Sequence, residues 1–355
     1  MKKGSLYLES GEIYSGHFLA GEPQAGEVVF NTSHSGYEEM ATDPSYFSQI
    51  LVSTAPQQGN YGIDDRVWES RRIWISGFIC LEMQKSKRDR SWLDRLHHFK
   101  VPTLDQVDTR QLVLKLRSTG TTWGAVVDSQ DPQAIRAKAT ELIQARKQQP
   151  SDWTSLVSTE KNYELVGEQP SGPKVAVLDF GCKENILREL RKRTRLIKVF
   201  KASSSSEEIR SWGPDGILLS NGPGDPSLVQ PGVQTIKELL GWRFIFGICM
   251  GQQVLALALG GQTYKLKFGH RGSNHPIRDS LQNKVYVTSQ NHGYNVDLST
   301  LPTDVQVTHI NLNDQTVAGI ISLNRKCMSV QFHPESHPGP HDSVGLFDYF
   351  IRQLV

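Results

Sequence analysis

The sequence predicts an α/β protein. Its C-terminal part is an open, mostly parallel sheet flanked by helices, and a separate mixed α/β N-terminal domain precedes it. Three observations carry this prediction. From residue 174 onward, apolar β-branched runs alternate with amphipathic helical runs. A polar stretch bearing Pro170, Gly172 and Pro173, "EKNYELVGEQPSGPK" (160–174), separates that rhythm from the text before it. The length of 355 residues admits two domains of roughly 100–200 residues each. The expected division is an N-terminal domain over 1–160, a linker over 161–173 and a C-terminal domain over 174–355.

In the first half, "GEVVF" (26–30) and "RRIWISGFICLE" (71–82) read as strands because they are rich in β-branched and aromatic residues. A turn-rich stretch, "NTSHSGYEEMATDPSY" (31–46), lies between them. "DTRQLVLKLRSTG" (108–120) reads as a helix stopped by Gly120. A polar helical run follows Pro132.

In the second half, "KVAVLDF" (174–180) is a continuous apolar strand and "CKENILRELRKR" (182–193) a helix. "RLIKVF" is a strand. "SSSSEEIRSW" starts a helix, with serine as N-cap and glutamates in the first turn. "DGILLS", "VQTIKELL", "RFIFGIC" and "QQVLALALG" continue the alternation. Strands apolar on both faces imply a parallel sheet covered on both sides. Shorter strands follow in "KVYVTSQ", "VQVTHINLN", "VAGIISL" and "CMSVQF". The final "SVGLFDYFIRQL" places Phe347, Phe350, Ile351 and Leu354 on one helical face, a stripe that packs into a core.

With 39 basic and 37 acidic residues the formal net charge is +2, which predicts no broad nucleic-acid footprint. The basic run "LRELRKRTR" (187–195) reads as a solvated helix end. Cys80, Cys182, Cys249 and Cys327 form no CxxC pair, so no disulfide framework and a reducing compartment are expected. No apolar run reaches signal-peptide or membrane-helix length, so neither a leader nor a membrane span is expected and a cytoplasmic location is.

One stretch calls for chemistry. In "RFIFGICMGQQVLALALG" the strand ends at Ile248, the helix begins near Met250, and Cys249 is the turn between them. Gly247 and Gly251 remove the Cβ atoms that clash when a strand reverses so sharply into a helix, the G-x-nucleophile-x-G spacing of a nucleophile elbow. The helix N-terminus then points at the sulfur, and its free N–H groups and dipole favour negative charge there. A thiolate also needs a base. "SVQFHPES" supplies His333, and Pro334 keeps the chain extended so that Glu335 projects to the same side and orients the imidazole. "HPESHPGPHD" also offers His333, His337, His341 and Asp342 as metal ligands. Pro334, Pro338 and Pro340 forbid the helix that would align them, and no ligand cage emerges.

Cys249 in G-x-C-x-G-x-Q, with His-Pro-Glu near the C-terminus of an α/β domain, resembles the class I (triad) glutamine amidotransferases. "LLSNGPGDP" (218–226) is similar to that family's oxyanion strand. There Gly222 and Gly224 let backbone approach a ligand, and Pro223 fixes the turn. "KFGHRGSNHP" (267–276), "SQNHGYNV" (289–296), "HPGPHD" (337–342), "GEVVFNTSHSGYEEMATDPSY" and "QGNYG" narrow the resemblance to the carbamoyl-phosphate synthetase small-subunit family, over most of the chain. Gln252 stands where that family often has histidine. Tyr294 stands for a phenylalanine, and Arg271 and Ser273 occupy a loop where histidine and glycine are frequent and where partner contact is expected.

The resemblance implies a glutaminase. Cys249 attacks the side-chain amide of L-glutamine, His333 moves the protons and Glu335 orients His333. The backbone N–H groups of Gly224 and Met250 are the implied oxyanion donors. Ser45, Gly222, Gln253, Asn291, Gly293 and Tyr294 are the further implied glutamine contacts. It implies a heterodimer with a large synthetase subunit, which receives the ammonia, binds ATP and a divalent metal, and makes carbamoyl phosphate from bicarbonate for arginine and pyrimidine synthesis. No metal or cofactor is expected in this chain, which has no G-x-x-x-x-G-K-[ST] loop. Two other readings compete: another class I amidotransferase or cysteine hydrolase on the same elbow, and a catalytically silent assembly subunit.

Overall fold

The computed structural model describes residues 2–86 and 91–354. The chain divides into two units, Met1–Ser151 and Asp152–Val355.

In chain order the first unit holds β1 (Lys2–Leu8), β2 (Ile13–Ala20), β3 (Gln24–Asn31), α1 (Tyr37–Thr42), β4 (Gln49–Ser53), β5 (Gln57–Gln58), β6 (Gly77–Ile79), β7 (Glu82–Met83), α2 (Trp92–His98), β8 (Thr103–Asp105), α3 (Thr109–Thr119), β9 (Thr122–Val127) and α4 (Pro132–Lys147). Strands β1-β2-β8-β6-β4-β3-β9 close into a barrel. β1 pairs with both β2 and β9, so the ring leaves no open edge. Composition pointed only to mixed α/β; closure is set by pairings between residues far apart in sequence. α3 starts on the Asp108 side chain, which accepts from Gln111 N–H, and stops at Gly120 with φ 98°, as its sequence predicts. Of the 71–82 run read as a strand, only Gly77–Ile79 and Glu82, the first residue of β7, are strand. Ile73, Trp74 and Ile75 are buried, but Trp74 and Ser76 donate their N–H groups to Ala41 and Gln49 outside any ladder. Apolar text reported burial there, not backbone conformation.

The second unit holds α5 (Thr154–Val157), β10 (Tyr163–Val166), β11 (Lys174–Asp179), α6 (Glu184–Arg191), β12 (Leu196–Lys201), α7 (Ser206–Trp212), β13 (Gly216–Leu219), α8 (Gln230–Leu239), β14 (Phe244–Ile248), α9 (Met250–Ala258), β15 (Gln262–Asp279), β16 (Lys284–Asp297), β17 (Gln306–Asn311), β18 (Val317–Ser322), β19 (Cys327–Val330) and α10 (Gly345–Arg352). One sheet runs β10-β12-β11-β13-β14-β19-β18-β17-β15-β16. Its centre, β12-β11-β13-β14-β19, is parallel, and antiparallel strands extend it on both sides. Alternation sorts the core: Val175, Val177, Leu218 and Phe246 meet Ile186, Leu190, Phe347 and Phe350 on one face. Ala176, Leu178, Ile217 and Leu219 meet Ile209, Ile236, Val254 and Leu255 on the other. The α10 stripe is therefore core, with Phe347 and Phe350 fully buried. α7 opens with a capping box between Ser205 and Glu208.

Two readings change here. Tyr163–Val166, inside the expected linker 161–173, is an antiparallel edge strand against β12, and the units divide earlier, between Ser151 and Asp152. Pro and Gly mark only the end of that stretch, and a short strand with exposed side chains lacks an apolar signature. β15 was not read as a strand at all. Its polar text, Gly269, Gly272 and Pro276 mask an 18-residue strand with two register shifts against β16. Cys80, Cys182, Cys249 and Cys327 form no disulfide among the described residues. Among the described residues, no helix is long and apolar enough to cross a membrane.

Candidate active site

Adjacent parallel strands β11, β13, β14 and β19 end side by side. The segments leaving their carboxyl ends carry Lys183, Gly222–Gly224, Cys249 and His333–Glu335. The crevice beyond such ends is where open parallel sheets hold ligands.

Cys249 joins β14 to α9 with φ 56° and ψ −104°, a conformation that side chains rarely adopt and that costs about 1–3 kcal/mol. The neighbouring glycines are sterically required. A Cβ on Gly247 would lie 2.6 Å from Gly251 O, and one on Gly251 would lie 2.3 Å from Leu219 O. Cys249 N–H donates to Val330 O at 2.9 Å, which ties the elbow to the strand leading to His333. Cys249 is 1% exposed, and its Sγ lies 3.6 Å from Asn291 O.

His333 is seated by its N–H, which donates to Ser289 O at 3.0 Å, and by Nδ1, which lies 2.7 Å from Glu335 Oε1. Nε2 is buried without a geometric hydrogen-bond partner among the described residues. Burial by itself disfavours the imidazolium. The Glu335 carboxylate and the Cys249 sulfur outweigh it and hold the His333 pKa up at about 10. Burial likewise opposes the Glu335 carboxylate, but Lys183 and His333 overcome it and lower its pKa to about 2.

Lys183 is the residue that sequence reasoning missed. Its Nζ lies 3.1 Å from Glu335 Oε1, with both side chains almost unexposed, and also donates to Ser336 O. Its N–H donates to Asn221 Oδ1 at 3.0 Å. The signal was available: Lys183 is the N-cap of α6, the end of a helix where a cation is unfavourable. Asn185 Nδ2 adds a bond to Glu335 O. Among the described residues, no group of three or more His, Cys, Asp or Glu side chains is arranged to hold a metal ion.

The loop after β13 needs its glycines. A Cβ on Gly222 would meet Phe180 O at 2.3 Å, and Gly224 has φ 90°. Met250 opens α9 beside the sulfur. Gln253, one turn along, donates from Nε2 to Tyr294 O at 2.8 Å. Asn291, Gly293 and Tyr294 lie on β16, and Asn291 presents its carbonyl to Cys249. The second unit thus brings Cys249, His333 and Glu335 together with Met250, Gln253, Asn291 and Tyr294, with Gly293 beside them on β16 and Gly222 and Gly224 on the adjoining loop. Ser45 lies in the first unit, in a single turn Pro44–Tyr46 whose Ser45 N–H donates to Asp43 Oδ1. Arg271, in the stretch expected to meet a partner, is 5% exposed and donates to Phe268 O. Ser273 Oγ donates to Pro338 O.

A family model described as glutamine amidotransferase class-I matches residues 176–353, and one described as carbamoyl-phosphate synthase small chain, CPSase domain, matches residues 6–126. The chain is 44% identical to the carbamoyl phosphate synthase small chain of Clostridium perfringens, over 99% of this chain and 100% of the relative. It is 42% identical to the protein of that name from Methanopyrus kandleri, over 98% of each. It is 43% identical to that of Oceanobacillus iheyensis, over 100% of this chain and 96% of the relative.

Proposed function

The chain belongs to the carbamoyl phosphate synthase small chain family and carries a class I glutamine amidotransferase domain, and from that premise we propose that it hydrolyses L-glutamine at Cys249 and delivers the ammonia to a large synthetase chain. The observation that carries the proposal is the strained elbow cysteine within electrostatic reach of the buried His333–Glu335 pair.

The thiolate of Cys249 adds to the amide carbon of glutamine. The carbonyl oxygen takes up the negative charge beside the N–H groups of Gly224 and Met250, and one such donor is worth roughly 10²–10³ in rate. Protonated His333 gives its proton to the amide nitrogen, the C–N bond breaks, and ammonia leaves. Neutral His333 then takes a proton from water as the water attacks the γ-glutamyl thioester. The C–S bond breaks, glutamate departs with its γ-carboxyl proton released to solvent or ammonia, and the Cys249 thiolate is restored beside protonated His333. Glu335, held by Lys183, keeps the imidazole oriented and favours its charged form. Ser45, Gly222, Gln253, Asn291, Gly293 and Tyr294 are the proposed contacts for the rest of the substrate. Groups that pair with its α-amino and α-carboxyl ends select against amides that lack them.

ATP, divalent metal and bicarbonate are assigned to the large chain, and the product of the pair is carbamoyl phosphate, a precursor for arginine and pyrimidine synthesis. The test is glutamate release from glutamine by the chain alone and with its large chain, beside Cys249→Ala. Release that rises with the partner, ATP and bicarbonate and vanishes in the variant is the expected result. No release even from the complex sinks the proposal.

A further inference from the structure

The segment that leaves β19 toward His333 carries a second buried polar side chain, Gln331, 1% exposed. Its Oε1 faces the first turns of α9, where it accepts from Gln253 Nε2 at 3.2 Å and from Gln252 Nε2 at 3.4 Å. Gln252 Oε1 in turn accepts from Ser329 Oγ at 3.3 Å. Gln253 Nε2 gives its other hydrogen to Tyr294 O at 2.8 Å. The polarity of this chain of amides is fixed. Both helix glutamines present N–H groups to Gln331, so Gln331 presents its oxygen, even though its own Nε2 is left buried without a partner. Flipping Gln331 would set N–H against N–H.

The consequence falls on Gln253. Both of its side-chain N–H groups are used inside the protein, and its Oε1 makes no hydrogen bond among the described residues. What Gln253 can offer a ligand is therefore an acceptor. It sits four residues beyond Cys249 on α9, about 6 Å along the helix axis at 1.5 Å per residue. The reacting amide is at Cys249, so a group one turn away meets the other end of the substrate. The donor at that end of glutamine is its α-ammonium.

We infer that Gln331 is a positioning residue for substrate selection, locking the Gln253 amide so that its carbonyl oxygen meets the α-ammonium group of the substrate. The inference rests on the glutaminase reading above.

The test uses the full chain with its large chain. Ammonia release is measured from glutamine and from glutaramate, the same molecule without the α-amino group. Gln331→Met removes the acceptor and keeps the length. The expected result is a KM for glutamine raised about three- to tenfold, the effect of one hydrogen bond. kcat stays within about twofold and glutaramate kinetics do not change, because binding common to ground and transition states was lost. Gln331→Glu, which still offers acceptors to both helix glutamines, keeps the preference for glutamine. Because Gln331 acts through Gln253, the Gln331→Met/Gln253→Met double variant is no worse than Gln253→Met. Alkylation of Cys249 by iodoacetamide, which has no α-amino group, is unchanged in the Gln331→Met and Gln331→Glu single variants. Equal losses on glutamine and glutaramate, additive losses in the double variant, or an unaltered preference in Gln331→Met overturn the inference and leave the glutaminase reading intact. If Gln331→Met does not fold, loss of the preference in Gln331→Glu overturns it. A wild-type complex that releases no ammonia from glutamine sinks both.

Discussion

Lys183 Nζ lies 3.1 Å from Glu335 Oε1, and the two side chains are 3% and 0% exposed. The same oxygen meets His333 Nδ1 at 2.7 Å. A single carboxylate oxygen therefore serves a buried lysine from the start of α6 and the buried histidine after β19. The charge of the His333 pair is balanced from outside the three proposed catalytic residues.

Lys183→Met tests that balance. It leaves the Glu335 carboxylate buried beside His333 alone, and breaking a buried pair from one side costs about 3–5 kcal/mol. The expected outcome is a lower denaturant midpoint with an unchanged slope, and a Glu335 pKa moved up from about 2 toward the usual carboxylate range. Urea unfolding at several pH values reads both.

Glu335→Gln tests the imidazole. The carboxylate is the largest influence opposing burial at His333, so its loss lowers the pH at which His333 gives up its proton from about 10. The alkaline limb of the kcat profile for glutamine shifts to lower pH. The stability signs follow. A raised His333 pKa contributes stability that is full below the ordinary value of 6.5 and lost as pH rises through about 10. The lowered Glu335 pKa contributes stability present above 4.5 and lost as pH falls through about 2. Both slopes flatten in the variant; a profile that superposes on the wild type would count against the coupling.

Gly251→Ala tests the elbow. The new Cβ would sit 2.3 Å from Leu219 O and 2.8 Å from Leu219 Cβ, in the neighbouring strand. Backbone has to move, so the variant loses about 1–3 kcal/mol or more. Cys249 alkylation changes with it, since the helix that follows the sulfur is displaced. Chemical denaturation and the iodoacetamide rate are the two readouts.

Replacing Cys249 itself separates strain from chemistry. At φ 56° glycine relieves the strain that cysteine carries, whereas alanine keeps it. Cys249→Gly is expected to be more stable than Cys249→Ala by about 1–2 kcal/mol, the reverse of the usual order. Neither releases glutamate. Equal melting curves for the two would show that the elbow is unstrained.

Legibility varied along the chain for physical reasons. The parallel core was readable because its strands are apolar on both faces and its helices are punctuated by Ser205 and Gly213 at the two ends of α7 and by proline in the first turn of α8. The barrel was not, because its closure depends on pairings such as Ser5 with Val127 that no local pattern encodes. β15 was hidden by its polar text: its buried His270 meets the exposed Asp314, and beside it on β16 His292 and Gln290 are buried as a pair.

By itself the sequence determined the elbow, the glycine-rich loop after β13 and the His-Pro-Glu segment. Each needs glycine or proline at fixed local spacing, and backbone sterics act over a few residues. Only the tertiary structure decided which charges and amides support them. Lys183 reaches Glu335 across 152 positions of sequence, and Gln331 reaches Gln253 across 78. Those partners are selected by which strand ends the sheet order places side by side, and burial then turns an ordinary lysine and an ordinary glutamine into fixed parts of the site.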